Sequence, residues 1–588
     1  MSRLLSRPQD GAGEMLEVGS AAHDAAVQEH SWSNLSKRRT WLVLASVMAG
    51  MLLAAVDQTV VGTAMPRVIA DLNGMSHYAW VAIAYLLAST ASMPIWGKLS
   101  DAYGRKVFFI VGMLLFMAGS ALCGQAHSMT ELILFRALQG LGGGAMMPIN
   151  QAIIGDLFPA KERGKWIGLL MSVFGLATII GPTLGGYITD NLGWRWVFYV
   201  NLPVGIPALI LAAIALPAHV SLRKHRIDYG GATILLAAAV SLLLAFSLGG
   251  STYPWGSTTI IGLFAFSVVA WVAFVLYENR AAEPILAPAL FKNRTFAVSS
   301  VAGFIAMAGM FGAIMFLPLF VQGVLGETAT DSGVVLTPLM LGFIASSIIG
   351  GQILSRTGRY KWMIIISFVI TVVGLYLLST MGVDTSHGTL VLYMVITGLG
   401  MGVSMGAFTI VVQNAFPLSR LGEVTAGMQF FRSIGGTIGL AVFGTVLNNQ
   451  FSSAMQGRLP AALKTAATAN PALLSNPQVL VNPAAKVKLA AAFDQFGPQG
   501  HTLFNQFMGA VRGSMDVAIG DLFILAAVIT AVGTVVLFLM KEIPLRATHA
   551  MPEDEVDAEG SALPTEVGGA EGEAHSGARP IPETQPEM

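Results

Sequence analysis

Charge and cysteine are both scarce in this 588-residue chain. Asp, Glu, Lys and Arg together make up 11% of it, and Cys123 is the only cysteine. A single thiol excludes an internal disulfide and any CxxC metal spacing. The 33 basic residues are balanced by 33 acidic ones, which excludes a strongly basic nucleic-acid binder. There is no Walker loop for an ATP-driven pump, and no filter-like repeat or ring of charge for a channel. A membrane enzyme would need clustered His, Asp, Glu or Cys inside apolar stretches. His77, His127, His225, His387 and His501 instead fall in joints or loops, with no metal-ligand spacing, so neither a metal nor a cofactor is expected. The opening segment, Met1 to Ser36, lacks an apolar core, so it does not read as a cleaved signal peptide.

Apolar residues are abundant, at 54% of the chain, and there are 65 glycines. A water-soluble protein of this composition could not cover its own surface. The apolar residues recur in stretches of roughly 20, the length that crosses a bilayer as a helix. Fourteen such spans are predicted, the first over Trp41 to Thr63, the thirteenth over Val424 to Asn448 and the last over Val517 to Met540. Inside lipid every backbone N–H and C=O must be satisfied within the segment, which selects helices over open strands. If the spans alternate in direction, Lys37, Arg38, Arg39, Arg105, Lys106, Lys161, Arg163, Lys165, Arg356, Arg359, Lys361 and Lys541 gather at one side. Arg67 and Arg195 are exceptions in the short joints of the other side. This bias predicts that both termini are cytoplasmic and that the chain is multi-pass in a cell (inner) membrane, of bacterial type. The segment 450–515, rich in Ala, Pro and Gln, is expected to be an extracytoplasmic loop with a short helix near Ala484 to Phe496. The acidic stretch 546–588 reads as a disordered cytoplasmic tail.

Two turns share a spacing. Gly97-Lys98-Leu99-Ser100-Asp101-Ala102-Tyr103-Gly104-Arg105-Lys106 follows the second span, and Gly351 to Gly358-Arg359-Tyr360-Lys361 follows the tenth, with Ser355 in place of Asp101. A degenerate repeat of this kind indicates two related helical halves with a substrate path between them. Four further stretches stand out: Val56-Asp57-Gln58-Thr59-Val60-Val61 in the first span, Leu134 to Gly140 around Arg136 in the fourth, Gly175 through Gly181-Pro182 to Gly185-Gly186 in the fifth, and Trp194 to Pro203 at the sixth.

On these motifs the chain resembles the major facilitator superfamily, and within it the fourteen-span drug:proton antiporters, from about Ser36 to Lys541. Gly62 departs from the pattern, standing where that family usually has Asn. The resemblance implies an all-α integral membrane fold: a six-helix bundle at 37–217, two additional spans at 218–280, and a second six-helix bundle at 281–545, with 1–36 as a cytoplasmic extension. It also implies multidrug efflux of the kind that confers antibiotic resistance, with an inward proton exchanged for an outward amphipathic or cationic small molecule. The alternative is a dedicated exporter of one endogenous lipid, antibiotic or metabolite. The expected partners are the substrate, protons and membrane lipid, with no nucleic acid, and the chain is expected to act as a monomer.

Individual residues carry the expectation further. A carboxylate inside a span is costly, by about 2.5–3.5 kcal/mol on insertion scales, so Asp57 is the expected proton carrier. Asp57 and Arg136 lie at similar depths from the same end, which permits an ion pair. Gly97, Asp101, Gly104, Arg105 and Lys106 are assigned to a cytoplasmic gate. Gly175, Gly181, Pro182, Gly185 and Gly186 are assigned to a bending, close-packed antiporter helix. Tyr85, Gln139, Phe311, Met315, Phe408 and Gln429 are the candidate substrate contacts. Arg432, inside the thirteenth span, needs a partner or water, and Glu423 lies too near the end of that span to serve.

Overall fold

The computed structural model describes residues 35–72, 78–218, 227–250, 252–325, 329–459, 489–491 and 499–546, together with residues 32 and 493. Fourteen helices are long and apolar enough to cross a membrane. They are α1 (Lys37–Leu72), α2 (Tyr78–Tyr103), α3 (Arg105–Gln125), α4 (Met129–Leu157), α5 (Ala160–Asn191), α6 (Asn201–Ala215, preceded by a turn at Trp196–Tyr199), α7 (Tyr229–Leu248), α8 (Thr258–Glu278), α9 (Arg294–Phe320), α10 (Ala329–Thr357), α11 (Lys361–Ser379), α12 (His387–Asn414), α13 (Leu421–Arg458) and α14 (Gly500–Leu537). Residues 547–588 of the acidic stretch, most of the N-terminal extension and most of the 484–496 helix lie outside the described residues.

Helices α1 to α6 pack on one another, α2 and α3 against α4 and α1 against α5. Helices α9 to α14 form a second group, with α10 and α11 on α12 and α9 on α13. The additional pair α7 and α8 pack together, where the Ser267 hydroxyl donates to the Ala238 carbonyl at 3.1 Å. Helix α7 also touches α2 and α13, one from each group. On α8, Ile261, Phe266, Val268, Val269, Val272 and Leu276 are exposed, a surface that only lipid can solvate without penalty.

Helices α1, α13 and α14 outrun the expected spans furthest. Helix α1 continues to Leu72, α13 to Arg458, and α14 begins at Gly500, so the segment 450–515 is partly helical. Hydropathy marks only the part of a helix that lies in lipid; polar turns beyond the bilayer keep the same hydrogen bonds without an apolar signal.

The repeated turn is made alike in both groups. Gly104 between α2 and α3 has φ 100°, and Gly358 between α10 and α11 has φ 68°. That conformation is closed to most side chains, which explains why the glycine recurs at the same place. Arg67 and Arg195, the exceptional cations at the opposite end, are both paired: Arg67 lies 4.0 Å from Asp190, and Arg195 lies 2.9 Å from Asp71. Hydrogen bonds from Trp194 and Arg195 hold the Asp71 carboxyl below the ordinary carboxylate range.

Cys123 is buried, so new cysteines report without interference. Thr252 and Thr357 are exposed at opposite ends. In intact cells a membrane-impermeant maleimide is expected to label Thr252→Cys, and to label Thr357→Cys only after permeabilisation. The reverse pattern would invert the orientation read from the basic residues.

Candidate functional site

Asp57 on α1 and Arg136 on α4 meet in the first group, both nearly inaccessible at 1% and 3% exposure. Arg136 Nη1 donates to Asp57 Oδ2 at 2.7 Å. The other carboxylate oxygen accepts from Gln139 Nε2 at 2.8 Å and from Asn201 Nδ2 at 2.9 Å. Asn201 also reaches Ser120 Oγ at 2.9 Å, and Ser120 donates to the Phe198 carbonyl at 2.8 Å. The guanidinium lies 4.3 Å from the centroid of the Tyr85 ring, a cation–π contact. Four helices and the turn before α6 thus converge on one carboxylate. Its three hydrogen bonds suit an anion that accepts through both oxygens. In this conformation the carboxylate is sealed from both ends.

A second polar cluster closes the basic end, where the Lys- and Arg-rich turns lie. Asp101 on α2 reaches across to the other group and caps α13 in trans. Its Oδ1 accepts from Gly422 N at 2.8 Å and its Oδ2 from Glu423 N at 2.7 Å. A carboxylate there satisfies free N–H groups and complements the positive helix end. Arg105 forms ion pairs with Asp101 and with Asp156, the latter at 2.8 Å. In the second repeat Ser355 plays the corresponding part, accepting from Lys165 N of α5 at 3.2 Å.

The first glycine of each repeat marks a helix crossing. A β-carbon on Gly97 would strike Gly422 and Ala426, and one on Gly351 would strike the Gly164 carbonyl. Between these crossings Gln413 Nε2 donates to the Gln151 carbonyl at 3.0 Å. Residues 541–546 run beneath the bundle as a strap. Asn414 Nδ2 donates to the Pro544 carbonyl at 3.1 Å, and Lys161 N on α5 donates to the Arg546 carbonyl at 3.1 Å. Tyr360 lies under the strap, its hydroxyl accepting from Ile543 N at 2.6 Å, and burial pushes its phenol up to about 12.

Two related helical groups joined at one end by polar contacts are the build of an alternating-access carrier, and residues 47–440 match the Major Facilitator Superfamily. The chain belongs to that superfamily. This major facilitator protein is 41% identical over 543 residues to the multidrug transporter protein MdtP of Bacillus subtilis (strain 168), covering 90% of this chain and 97% of that one. Multidrug resistance protein 3 of the same organism is 42% identical over 414 residues, covering 70% and 81%. Among solved structures, the human organic anion transporter MFSD10 (TETRAN) aligns with TM-score 0.56 at 14% identity, over 84% of this chain and 100% of that one. The proton:xylose symporter XylE aligns with TM-score 0.52 at 13% identity, over 84% and 95%. At such identities the likeness is one of fold. The family and its transporter relatives make this chain a multi-pass transporter and not an enzyme.

The expected substrate contacts of the transporter separate into three kinds. Tyr85 and Gln139 are enclosed in the Asp57 network, with Gln139 Oε1 accepting from Arg136 Nη1 at 2.8 Å. Phe408 is fully buried, its ring 5.9 Å from that of Phe368 in an edge-on contact within the second group. Phe311 lies over Gly436, Met315 is half exposed, and Gln429 is buried beside Arg432.

Of the antiporter-helix glycines, Gly181 and Gly185 admit Thr59 and Thr63 of α1, and Gly175 admits Ile344 of α10. Gly186 faces open space, so close approach does not require it. Pro182 lies inside the continuous helix α5. Lys106 is partly exposed and stands apart from the cap that Asp101 and Arg105 build.

Sequence reasoning missed Asn201, Ser120 and Asp156. Asn201 sat at the end of a quoted motif, and Asp156 follows Gly155 just before a basic turn, which was the available signal.

Replacing Arg136 with Met would leave Asp57 buried without a cation, at a cost of about 3–5 kcal/mol. The double variant Asp57→Asn/Arg136→Met is expected to melt several degrees above Arg136→Met alone in detergent; equal melting temperatures would mean the two charges are not coupled. Gly97→Val is expected to abolish transport and to raise the maleimide reactivity of a Thr425→Cys reporter, which is fully buried here. An unreactive reporter would show that the α2–α13 crossing does not hold the end shut.

Proposed function

We propose that this transporter is a proton-coupled antiporter that exports amphipathic small molecules, with the basic end facing the cytoplasm. The observation that carries the reading is the carboxylate of Asp57, buried inside α1 and paired with Arg136. The multidrug names of the two Bacillus relatives support the substrate class, and the Lys and Arg distribution supports the orientation.

In this reading Asp57 takes a proton when the groups rock and the network opens. Protonation removes the charge that Arg136 and the two amides hold, so α1 and α4 lose their strongest tie. Helix α1 is also the helix that Gly181 and Gly185 of α5 grip. A change at Asp57 is therefore transmitted to α5, whose other half crosses α10 at Gly164 and Gly168.

The basic-end cluster is the cytoplasmic gate. Its bonds are polar and made between groups that water can satisfy when they part, so breaking each of those to a charged group costs a net of about 1.5–3 kcal/mol. Asp101 is the latch, since it must leave the N-terminus of α13 before the groups can separate. The conformation described here is the one with that gate shut.

In cells expressing the chain, a panel of lipophilic cations is expected to be excluded, and a protonophore is expected to abolish exclusion. Asp57→Asn is expected to lower exclusion to the level of cells lacking the protein. Proton-driven export retained by Asp57→Asn would remove this carboxylate from the coupling.

A further inference from the structure

Arg432 lies in the middle of the molecule without a counter-charge. It is 3% exposed on α13, eleven residues past Leu421 and so about 16 Å from the basic end. Its Nη1 donates to Gln429 Oε1 at 2.7 Å and to the Met405 carbonyl at 3.3 Å. Its Nη2 contacts the Met405 sulfur, and its Nε is buried with no partner. No carboxylate pairs with it among the described residues, whereas Glu423 is taken by Lys98 and Arg420. Arg136, set nearer the opposite end, has Asp57. A guanidinium deep inside a membrane helix with neutral neighbours is costly, and such a charge marks a functional position by default.

The surroundings fit an amphipathic visitor. Met147 of α4 reaches the Gln429 amide, and Met93 of α2 lies 3.8 Å from Ser433 Oγ. These methionines belong to the first group, and they cover the Gln429–Arg432–Ser433 face of the second. Methionine packs adaptably against varied apolar shapes. When the two groups part at the basic end, Met93 and Met147 withdraw and that face becomes the wall of the opened path.

We propose that Arg432, with Gln429, binds an anionic group on the transported molecule, so that the substrates include organic anions or zwitterions bearing a carboxylate or sulfonate beside an apolar body. The planar guanidinium fork matches such a group bidentately. The inference rests on the transport reading and adds its substrate class, since the site is reachable only in the loading conformation. Closure of the gate returns the two methionines onto Gln429 and Ser433, on either side of Arg432, and displaces the anion.

The test uses the purified full chain in lipid nanodiscs without a proton gradient, with pyrenebutyric acid and its methyl ester as fluorescent probes. Wild type is expected to bind the acid about ten-fold or more tightly than the ester, the size of a charge-assisted pair. Arg432→Gln is expected to lose that preference while keeping its affinity for the ester, and Arg432→Lys to keep part of it. Because the substitution removes an unpaired charge, Arg432→Gln is expected to melt at or above the wild-type temperature. The proposal is overturned if wild type shows no saturable binding of the acid or no preference for it, if Arg432→Gln retains the preference, or if that variant is too unstable to purify. An intact acid preference here, together with no protonophore-sensitive export in cells expressing the chain, would sink the transport reading alone.

Discussion

A charge placed between the ends of a membrane helix must find its compensation inside the protein, because lipid offers neither counter-ion nor hydrogen bond. The described helices meet this demand in different ways. Asp57 and Arg136 compensate each other and recruit Gln139 and Asn201 to fill the remaining carboxylate positions. Asp101, Arg105 and Asp156 share charge nearer the surface and add the N-terminus of α13. Arg432, well inside α13, has no acidic partner among the described residues. The first arrangement is closed within one group of helices, the second spans both groups, and the third is incomplete.

The placement of glycine makes the second arrangement possible. Gly97 against Gly422 and Gly164 against Gly351 bring backbones of opposite groups into contact, which lets short side chains such as Ser355 and Asp101 reach the facing backbone N–H groups. Close crossings of this kind derive from shape and hydrogen bonding, not from a hydrophobic drive, since lipid tails are as apolar as the side chains they replace. Such an interface can therefore open without exposing anything that lipid or water would reject.

Much of the site was legible in the sequence. Asp57 and Arg136 are 79 residues apart, yet counting residues from the helix ends places both at one depth, because a helix rises by a fixed step. The repeated turn was legible because its left-handed glycines, Gly104 and Gly358, admit few alternatives. Asn201, Ser120 and Asp156 were not legible, because an amide, a hydroxyl or a terminal carboxylate is ordinary in a transporter until its neighbours are known. Phe408 shows the limit from the other side: an aromatic residue well inside a span reads as a candidate wall, and only packing reveals that its ring meets Phe368.

The amino-acid order alone determined that the chain crosses a membrane fourteen times, in what order, and with which residues too costly to be idle. It does so because lipid imposes one rule on every segment, and that rule is written in local composition. The tertiary structure decided which polar groups meet: that Asp101 caps a helix 321 residues away, that a side chain at Gly186 would meet open space while Gly181 admits Thr59 of α1, and that Arg432 has no carboxylate partner among the described residues. Those facts depend on how separate helices rotate and cross, and no single segment carries that information.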